Sequence, residues 1–294
     1  IFGEGFPLFQ ALLYNAKALI IYYGTGSHPW QCTEASLKRI IEFYRKTKFL
    51  PLESTRIQDF RWGLAASLAD AVIVIGNETT KKTFENNKAE NVYTVRPSFV
   101  YPKKRFKIRK NDTALKSMLY FASYGLLHKG LDLAVDAFRY FPDWTLHVCG
   151  YTDREERFIK SLNIPENVII HGFVNIESNL FRYLCENCGY VILPSCSEGI
   201  STAVITAMAI GGMIPVVTKE CGLDINDFGI LIDDLSVDSV KNAIMKCNTI
   251  NYEDLIYRTE KSISVAYSEY TIENYRTSMK KHLVNIIYNN KCCK

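Results

Sequence analysis

Short apolar runs alternate with longer amphipathic stretches along nearly the whole chain, and this pattern constrains the fold more than any other feature. The run ADAVIVIG at 69–76 is almost continuously apolar, as expected of a strand buried on both faces. The stretch at 34–47 has the helical period and predicts a helix capped by Thr33. Alternating strands and helices of this kind predict parallel sheets with crossover helices.

The alternation is interrupted at residues 101–113, a basic segment with proline at its start, which we predict to be a linker. About three strand–helix units precede it, and about five or six follow. The sequence therefore predicts an α/β chain with two Rossmann-like domains, a short one at 1–100 and a second at 114–270. Because the chain begins with Ile1 rather than Met, we expect a processed or truncated product whose first domain is incomplete.

The composition excludes several classes of protein. The chain has 48% hydrophobic and 22% charged residues, which is ordinary for a globular protein with apolar cores. It has no apolar run of the roughly 18–20 residues that a membrane-spanning helix requires. Its nine cysteines lie mostly in apolar runs or near helix ends, a usage typical of a reduced, cytoplasmic protein. Basic aromatic platforms, zinc-finger spacing and recognition helices are missing, so no nucleic-acid partner is expected.

The net charge of +4 is concentrated in the run KKRFKIRK at 103–110, where six of the eight residues are basic. Such a run is often only a solvated linker. It is also suited to contact an anionic acceptor or anionic lipid, which would place the protein at the inner face of a membrane. The sequence leaves both interpretations open.

Three predicted turns follow strands at their carboxyl ends, where ligands bind in open α/β sheets. In the first turn, Lys129 and Gly130 stand at the start of a helix. Free backbone N–H groups and the helix dipole favour an anion there, the lysine adds a full positive charge, and the glycine lets a phosphate approach. An exposed lysine before a helix is also common without any function, so this pair alone leaves the question open.

The second turn carries Glu198 and Gly199 before a helix that has almost no charge. A helix that is apolar all round is buried, so its start is expected to form the floor of a cleft. The backbone N–H groups of residues 199–202 are expected to be free at this helix start, and an anion such as a diphosphate would satisfy them. Glu198 would repel the phosphate but can accept hydrogen bonds from the hydroxyl groups of an attached sugar. Alternatively, Glu198 only complements the helix dipole.

The third turn, YYGTGSHPWQCT at 22–33, lacks the third glycine of a dinucleotide-binding fingerprint. This argues against an NAD-linked oxidoreductase. The turn does place His28 at the carboxyl end of a strand, the position expected for a ligand-facing group. A lone histidine is also often structural, and the sequence does not decide between these roles.

Taken together, these motifs resemble the retaining glycosyltransferases of the two-domain GT-B fold, in particular the large family numbered four, or group 1 type. The match covers most of 114–250 and includes the Lys-Gly turn and the strands LHVCG and IIHGFV. It ends with VILPSCSEGISTAVITAMAIGGMIPVV, which is similar to the family pattern PS-x-x-EG followed by EAMA-x-G-x-P-V-V. The order of these pieces makes the resemblance specific.

The resemblance implies a donor site built from the matched residues. Those implied to bind the diphosphate or the transferred sugar are Lys129, Gly130, Glu198, Gly199 and Ile200. Those implied to lie at the nucleoside are Phe173, Val174 and Thr206. Lys129 would contact the diphosphate, Glu198 would hold sugar hydroxyl groups, and His28 would be a third catalytic residue, near the anomeric carbon. The final helix, within 271–294, would pack back on the first domain.

Two positions depart from the family pattern. The glutamate that normally binds the ribose is replaced by Thr206, whose hydroxyl makes one such bond but not the charge-assisted pair of a carboxylate. The arginine that normally precedes the lysine by five residues is replaced by Tyr124. This removes one partner of the diphosphate, worth about 1.5–3 kcal/mol. The first domain is also shorter than the family's.

The resemblance thus implies an enzyme that transfers a hexose from a nucleoside-diphosphate sugar to a glycan or glycolipid acceptor, with retention of configuration. No metal cofactor is expected, because the lysine and a helix start would neutralise the leaving diphosphate. The departures keep an alternative open: a degenerate GT-B-fold module that binds a nucleotide or glycan, or supports an active transferase, without transferring a sugar.

Overall fold

The computed structural model describes residues 1–14, 17–103, 108–150 and 153–292. Its first sheet consists of β1 (Phe2–Gly3), β2 (Ile21–Gly24), β3 (Ala71–Ile75) and β4 (Val92–Val95). These strands lie side by side in chain order, and all of them are parallel.

The second sheet has six parallel strands. They are β5 (Ser117–Phe121), β6 (Thr145–Cys149), β7 (Val168–Gly172), β8 (Tyr190–Leu193), β9 (Ile214–Thr218) and β10 (Ile230–Ile232). Their order in the sheet is β10-β9-β8-β5-β6-β7. Every residue of β8 and β9 is buried, as expected of parallel strands that lie between layers of helix.

Helices connect most of these strands. Those that accompany the first sheet are α1 (Gly5–Tyr14), α2 (Pro29–Thr47), α3 (Phe60–Leu68) and α4 (Glu78–Asn86). Those of the second half are α5 (Leu131–Phe138), α6 (Glu156–Ser161), α7 (Asn179–Asn187), α8 (Thr202–Gly211), α9 (Val237–Asn248), α10 (Tyr252–Glu269) and α11 (Ile272–Cys292).

The second sheet has a point where its strand order reverses. The chain runs from β5 outwards to β6 and β7, then returns to the other side of β5 and continues through β8, β9 and β10. The connections that follow β5 and β8 therefore leave the sheet in opposite directions. In open α/β sheets ligands bind at such a switch point, outside the carboxyl ends of the strands.

Helix α11 lies against the first sheet although it follows the second one in the chain. Its Met279, Leu283 and Ile286 pack with a cluster that contains Ile21 and Ile73 of the first sheet. This apolar contact gives the first sheet a cover that its own segment of the chain does not supply. The boundaries of the domains and of the linker drawn from the sequence stay predictions.

Helix α2 begins earlier than the sequence predicted. It starts at Pro29, and its N-cap is His28, whose Nδ1 accepts a hydrogen bond from the backbone N–H of Trp30 at 3.3 Å. Proline suits the first position of a helix because its missing N–H would have no partner there. Thr33, the predicted cap, lies inside the helix and accepts a hydrogen bond from the backbone of Gln58. The predicted cap was therefore wrong.

The same helix joins the two halves of the chain. Its Phe43 is buried in the core cluster of the second sheet. Its Arg39 is also buried, and Nη2 lies 2.6 Å from Oδ2 of Asp132 at the start of α5. A buried guanidinium needs such a carboxylate partner, so α2 is held against the second half by both apolar and ionic contacts.

The basic run at 103–110 is only partly described, since residues 104–107 lie outside the described residues. Lys110 is buried, and its ammonium donates hydrogen bonds to the carbonyl oxygens of Cys185 and Cys188. One of the six basic side chains therefore binds carbonyl oxygens at the C-terminal end of α7. Among the helices in the described parts of the chain, none is long and apolar enough to cross a membrane.

Candidate functional site

The Lys-Gly turn lies between β5 and α5, at the switch point of the second sheet. Gly130 is the N-cap of α5 and has a φ of +70°, a left-handed conformation that side chains other than glycine rarely adopt. A Cβ atom at this position would also overlap the carbonyl oxygen of Pro194, which follows β8. Glycine is therefore required here, and its absent side chain lets the turns after β5 and β8 touch.

This contact brings Lys129 and Glu198 together. The Lys129 ammonium forms an ion pair with Oε1 of Glu198, and both side chains are less than one-tenth exposed. The hydroxyl of Ser195 donates to the same carboxylate oxygen at 3.1 Å. A third charged group, the guanidinium of Arg56, has its Nη1 at 3.8 Å from Oε2 of Glu198. Two cations thus flank one buried carboxylate.

These cations determine the ionisation of Glu198. Burial favours the neutral acid and would raise the pKa of the carboxyl above its ordinary value of 4.5. The ammonium of Lys129 and the guanidinium of Arg56 outweigh burial and lower the pKa to about 2. Glu198 is therefore an anion at neutral pH, able to accept hydrogen bonds but not to donate a proton.

The turn that carries Glu198 also touches the first sheet. A Cβ atom at Gly199 would overlap the carbonyl oxygen of Ile75, the last residue of β3. The hydroxyl groups of Ser27 and Ser197 share a short hydrogen bond across the same contact. The Lys129–Glu198 pair therefore lies where the two halves of the chain meet.

The start of α8 lies slightly later than expected. The sequence assigned the free N–H groups to residues 199–202, whereas the helix begins at Thr202 with Ser201 as its N-cap. Gly199 and Ile200 lie in the preceding turn. Val204 and the following residues of α8 up to Gly211 are buried, as predicted for a helix that is apolar all round.

The predicted nucleoside residues line one cavity. Phe173, Val174 and Thr206 all border a space of about 360 Å³, together with Ser123 of the turn after β5. The hydroxyl of Thr206 is already engaged, because it donates to the carbonyl oxygen of Thr202 at 2.7 Å. It also accepts from the backbone N–H of Val100 at 3.1 Å. Thr206 thus holds the segment that connects the two halves.

The side chain of His28 contacts residues of the first half of the chain. Its ring is fully buried in the first half, with edge-on contacts to Trp30 and Phe84 at centroid distances of 5.2 Å. Its Nε2 lies 3.2 Å from the hydroxyl of Ser67. Burial lowers the pKa of this histidine to about 4, so the ring is neutral at pH 7.

Sequence reasoning missed Arg56. It lies in the irregular connection between α2 and α3, where no motif marks it. Together with Tyr124, Asp59, Glu4 and Trp62 it lines a second cavity, of about 460 Å³, between the two halves. Tyr124 of this cavity and Ser123 of the cavity that Thr206 borders are neighbours in the turn after β5.

His128 was also missed, although it stands next to Lys129. It is fully buried, and its Nε2 lies 2.6 Å from the carbonyl oxygen of Ser197. Its Nδ1 lies 2.8 Å from the hydroxyl of Ser36 in α2. Burial lowers the pKa of its imidazole to about 4, so it is a neutral ring that joins the two turns to α2.

The remaining reactive groups are possible metal ligands and cysteine thiols. Within the described ranges, no three His, Cys, Asp or Glu side chains are grouped so that they could hold a metal ion. The seven cysteines from Cys32 to Cys247 are free and buried. Burial raises the pKa of their thiols, which keeps them protonated at neutral pH.

The chain was compared with known protein families. The family model described as glycosyl transferases group 1 matches residues 101–260, which is more than half of the 294 residues. The matched region contains both turns of the Lys129–Glu198 pair and all the predicted nucleoside residues.

Among curated proteins, the chain is similar to an uncharacterized glycosyltransferase of Haemophilus influenzae. The two are 25% identical over 201 residues, which cover 66% of this chain and 51% of the relative. The chain thus spans about half the length of the curated relative that it matches.

Solved structures give the same fold at low identity. TarM of S. aureus is 15% identical, with a TM-score of 0.62, and the match covers 95% of this chain and 53% of TarM. Anabaena HepE in complex with UDP-glucose is 14% identical, with a TM-score of 0.62, and the match covers 95% and 75% of the two chains. The predicted α/β fold of GT-B type is confirmed.

Proposed function

This chain belongs to the family of glycosyl transferases group 1, and on that premise we propose that it transfers a hexose from a nucleoside-diphosphate sugar to a glycan or glycolipid acceptor with retention of configuration. The observation that carries the proposal is the buried Lys129–Glu198 pair at the switch point of the second sheet. A permanent anion and a cation held together there match the two parts of a sugar diphosphate, hydroxyl groups and phosphate.

Each residue has a separate task in this proposal. The Lys129 ammonium and the turn before α8 bind the diphosphate and stabilise its charge as it leaves. The Glu198 carboxylate accepts hydrogen bonds from hydroxyl groups of the hexose and fixes its orientation. Phe173 and Val174 lie against the nucleobase in the cavity of about 360 Å³. We propose that this chemistry needs no metal cofactor, because the lysine replaces the divalent ion.

The acceptor would enter the cavity of about 460 Å³ between the two halves. Its lining includes the aromatic ring of Trp62 and the polar groups of Glu4, Gln58 and Asp59. An aromatic face with carboxylates and amides around it suits a carbohydrate, which offers both C–H surfaces and hydroxyl groups. A catalytic role for His28 stays a prediction, and His28→Ala tests it by comparing turnover with thermal stability.

The first experiment is a thermal-shift panel of UDP, GDP, ADP and their sugars. UDP has first priority because TarM and HepE were each solved in complex with it. A ligand at a hundredfold excess over its dissociation constant stabilises the fold by about 2.7 kcal/mol. We expect one nucleotide to raise the melting temperature of the wild type and of Lys116→Ala, an exposed lysine, but not of Lys129→Ala.

Turnover and stereochemistry follow with the donor so identified. Lys129→Ala and Glu198→Ala are each expected to lose most of the transfer activity while remaining folded. Proton NMR of the first product distinguishes retention from inversion at the anomeric carbon. Wild-type turnover in both variants would refute the assignment of the site, and an inverted product would refute retention.

The runner-up function is a degenerate module that binds a nucleotide or glycan, or supports an active transferase. The engagement of Thr206 favours it, since the hydroxyl at the ribose position already bonds to Thr202 and Val100. In that case nucleotide or glycan binding occurs without sugar transfer or donor hydrolysis. Activity that appears only when a partner transferase is added would favour the supporting role.

We also propose that the basic run at 103–110 contacts the cytoplasmic face of a membrane. The free thiols support a reducing location, and a glycolipid acceptor would supply the membrane. Because Lys110 is buried, the reversal variant should leave it unchanged. In a flotation assay with anionic vesicles, the wild type should float with the vesicles, and the variant with the other basic residues reversed should not. Equal binding of the two proteins would refute the contact.

A further inference from the structure

Arg56 reaches the candidate site from the half of the chain that does not carry Lys129 and Glu198. It follows a short helical turn at Leu52–Ser54, in the connection between α2 and α3. Its backbone N–H donates to the hydroxyl of Ser36 at 3.2 Å, which anchors the residue on α2. Its side chain is about one-quarter exposed, and the residue lines the cavity of about 460 Å³.

The guanidinium lies on the turn after β5. It lies over the ring of Tyr124, with Cζ at 4.9 Å from the ring centroid. Its Nη2 lies 3.4 Å from the hydroxyl of Ser123, and its Nη1 lies 3.8 Å from Glu198. The buried Nε has no hydrogen-bond partner among the described residues. The Nε–H group of Arg56 can therefore still donate a hydrogen bond to a ligand.

Charge points to an anion as the missing partner. Within this group of three side chains, Lys129 and Arg56 carry two positive charges and Glu198 carries one negative charge, so one positive charge is not balanced inside the group. Of the two other carboxylates that line this cavity, Asp59 is paired with Arg61, and burial raises the pKa of Glu4, which favours its neutral form. A buried cation that is only partly compensated favours binding of an anion.

The position fits one particular anion. Ser123 borders the cavity that we assign to the nucleoside, whereas Tyr124 and Arg56 border the cavity that we assign to the acceptor. The guanidinium of Arg56 contacts both Ser123 and Tyr124, so a molecule that extends from the first cavity towards the second passes it. In a nucleoside-diphosphate sugar, the group between the nucleoside and the hexose is the diphosphate.

We propose that Arg56 is a second diphosphate-binding residue, supplied by the N-terminal half, and that Tyr124 is the positioning residue that holds its guanidinium. This inference rests on the proposed function. The family's arginine is replaced by Tyr124 in this chain, but the positive charge is not lost. Tyr124 supports Arg56, whose guanidinium takes the place of that arginine. Since Arg56 and Lys129 belong to different halves, a bound diphosphate also ties the halves together.

Binding measurements with UDP and uridine separate the phosphate contact from the nucleoside contact. Isothermal titration should show UDP affinity reduced about tenfold to a hundredfold in Arg56→Gln, which is the usual effect of losing a hydrogen bond to a charged group. Uridine affinity should stay unchanged. Arg157→Gln, which replaces an exposed arginine that lies over the ring of Phe49 outside both cavities, serves as the matched control and should bind both ligands as the wild type does.

The double variant Arg56→Gln/Tyr124→Arg tests whether a guanidinium at this place, supplied by either half of the chain, is what UDP binding requires. It places a guanidinium on the turn after β5 itself, and it should recover most of the UDP affinity. Tyr124→Phe should bind like the wild type, because the ring that supports Arg56 remains. Tyr124→Leu should lose a few-fold in UDP affinity and nothing in uridine affinity.

Three results would overturn the inference. One is UDP binding by Arg56→Gln that equals that of the wild type, and another is an equal loss for UDP and uridine, which indicates a structural role. If Arg56→Gln does not fold, Arg56→Lys is measured instead. Because a lysine keeps the charge but not the planar fork, a several-fold loss of UDP affinity with unchanged uridine affinity is then expected. Failure of the wild type to bind any nucleoside diphosphate would refute the proposed function together with this inference, whereas the first two results refute the inference alone.

Discussion

Replacing Glu198 by glutamine should destabilise the protein, by an amount that follows from the geometry of the site. The substitution keeps the size of the side chain but removes the negative charge between Lys129 and Arg56. In the folded protein these cations lower the pKa of Glu198 from 4.5 to about 2, although burial acts in the opposite direction. At 1.36 kcal/mol per pH unit, this difference corresponds to about 3 kcal/mol of stability.

The sign of the pH dependence is fixed by the same values. Because the folded-state pKa lies below the unfolded one, the stabilisation is complete above about pH 5 and is lost as the pH falls towards 2. Glu198→Gln is therefore expected to be about 3 kcal/mol less stable than the wild type at pH 7, and about half as much at pH 3. Urea unfolding followed by circular dichroism at both pH values measures these differences.

Two controls distinguish the buried charge from a general effect of the substitution. Glu156→Gln removes an exposed carboxylate that pairs with Lys160 and should cost a few tenths of a kcal/mol. The double variant Lys129→Met/Glu198→Gln removes both charges and should recover most of the lost stability, because no unpaired ammonium remains. If Glu198→Gln were as stable as the wild type at pH 7, or if the difference did not shrink at pH 3, the reasoning would be refuted.

Three further features are tested by urea unfolding of variants. Gly130→Ala should cost about 2 kcal/mol or more, from the left-handed backbone and the overlap with the next turn, whereas Gly3→Ala, with open space around it, should cost less than about 0.5 kcal/mol. Arg96→Ala breaks two half-exposed ion pairs, with Asp224 and Glu269, and should cost about 1 kcal/mol at low salt and little at high salt. Burial lowers the pKa of Lys110 to about 8, so the wild type should gain stability between pH 8 and 10 as the amine becomes neutral, and Lys110→Met should lack this gain.

The parts of the site that sequence could predict are those specified by local chemistry. Gly130 and Gly199 stand where another backbone comes too close for a side chain, and Lys129 and Glu198 stand next to them. A short stretch of sequence carries all the information for such a turn. The apolar runs likewise marked most of the strands, since residues buried on both faces of a sheet must be apolar.

The remaining features depend on partners that are distant in the sequence. Arg39 lies on the buried face of α2 because Asp132 pairs with it, whereas the apolar Leu37 and Ile41 on the same helix are largely exposed. Arg56 lies at the site only because the two halves of the chain meet there. Thr206 is engaged by Val100 for the same reason. The period of one helix or the motif of one loop contains none of these pairings.

Helix α11 has a consequence for synthesis of the protein on the ribosome. The cluster that covers one face of the first sheet includes Ile286, so this face stays open until the chain has been made as far as α11. The strands of the first sheet are complete in the chain by Val95, nearly two hundred residues earlier. In the interval an apolar surface is exposed, and such surfaces favour aggregation. We therefore expect the nascent first half to need a chaperone, and a fragment that ends before Ile272 to be poorly folded when produced alone.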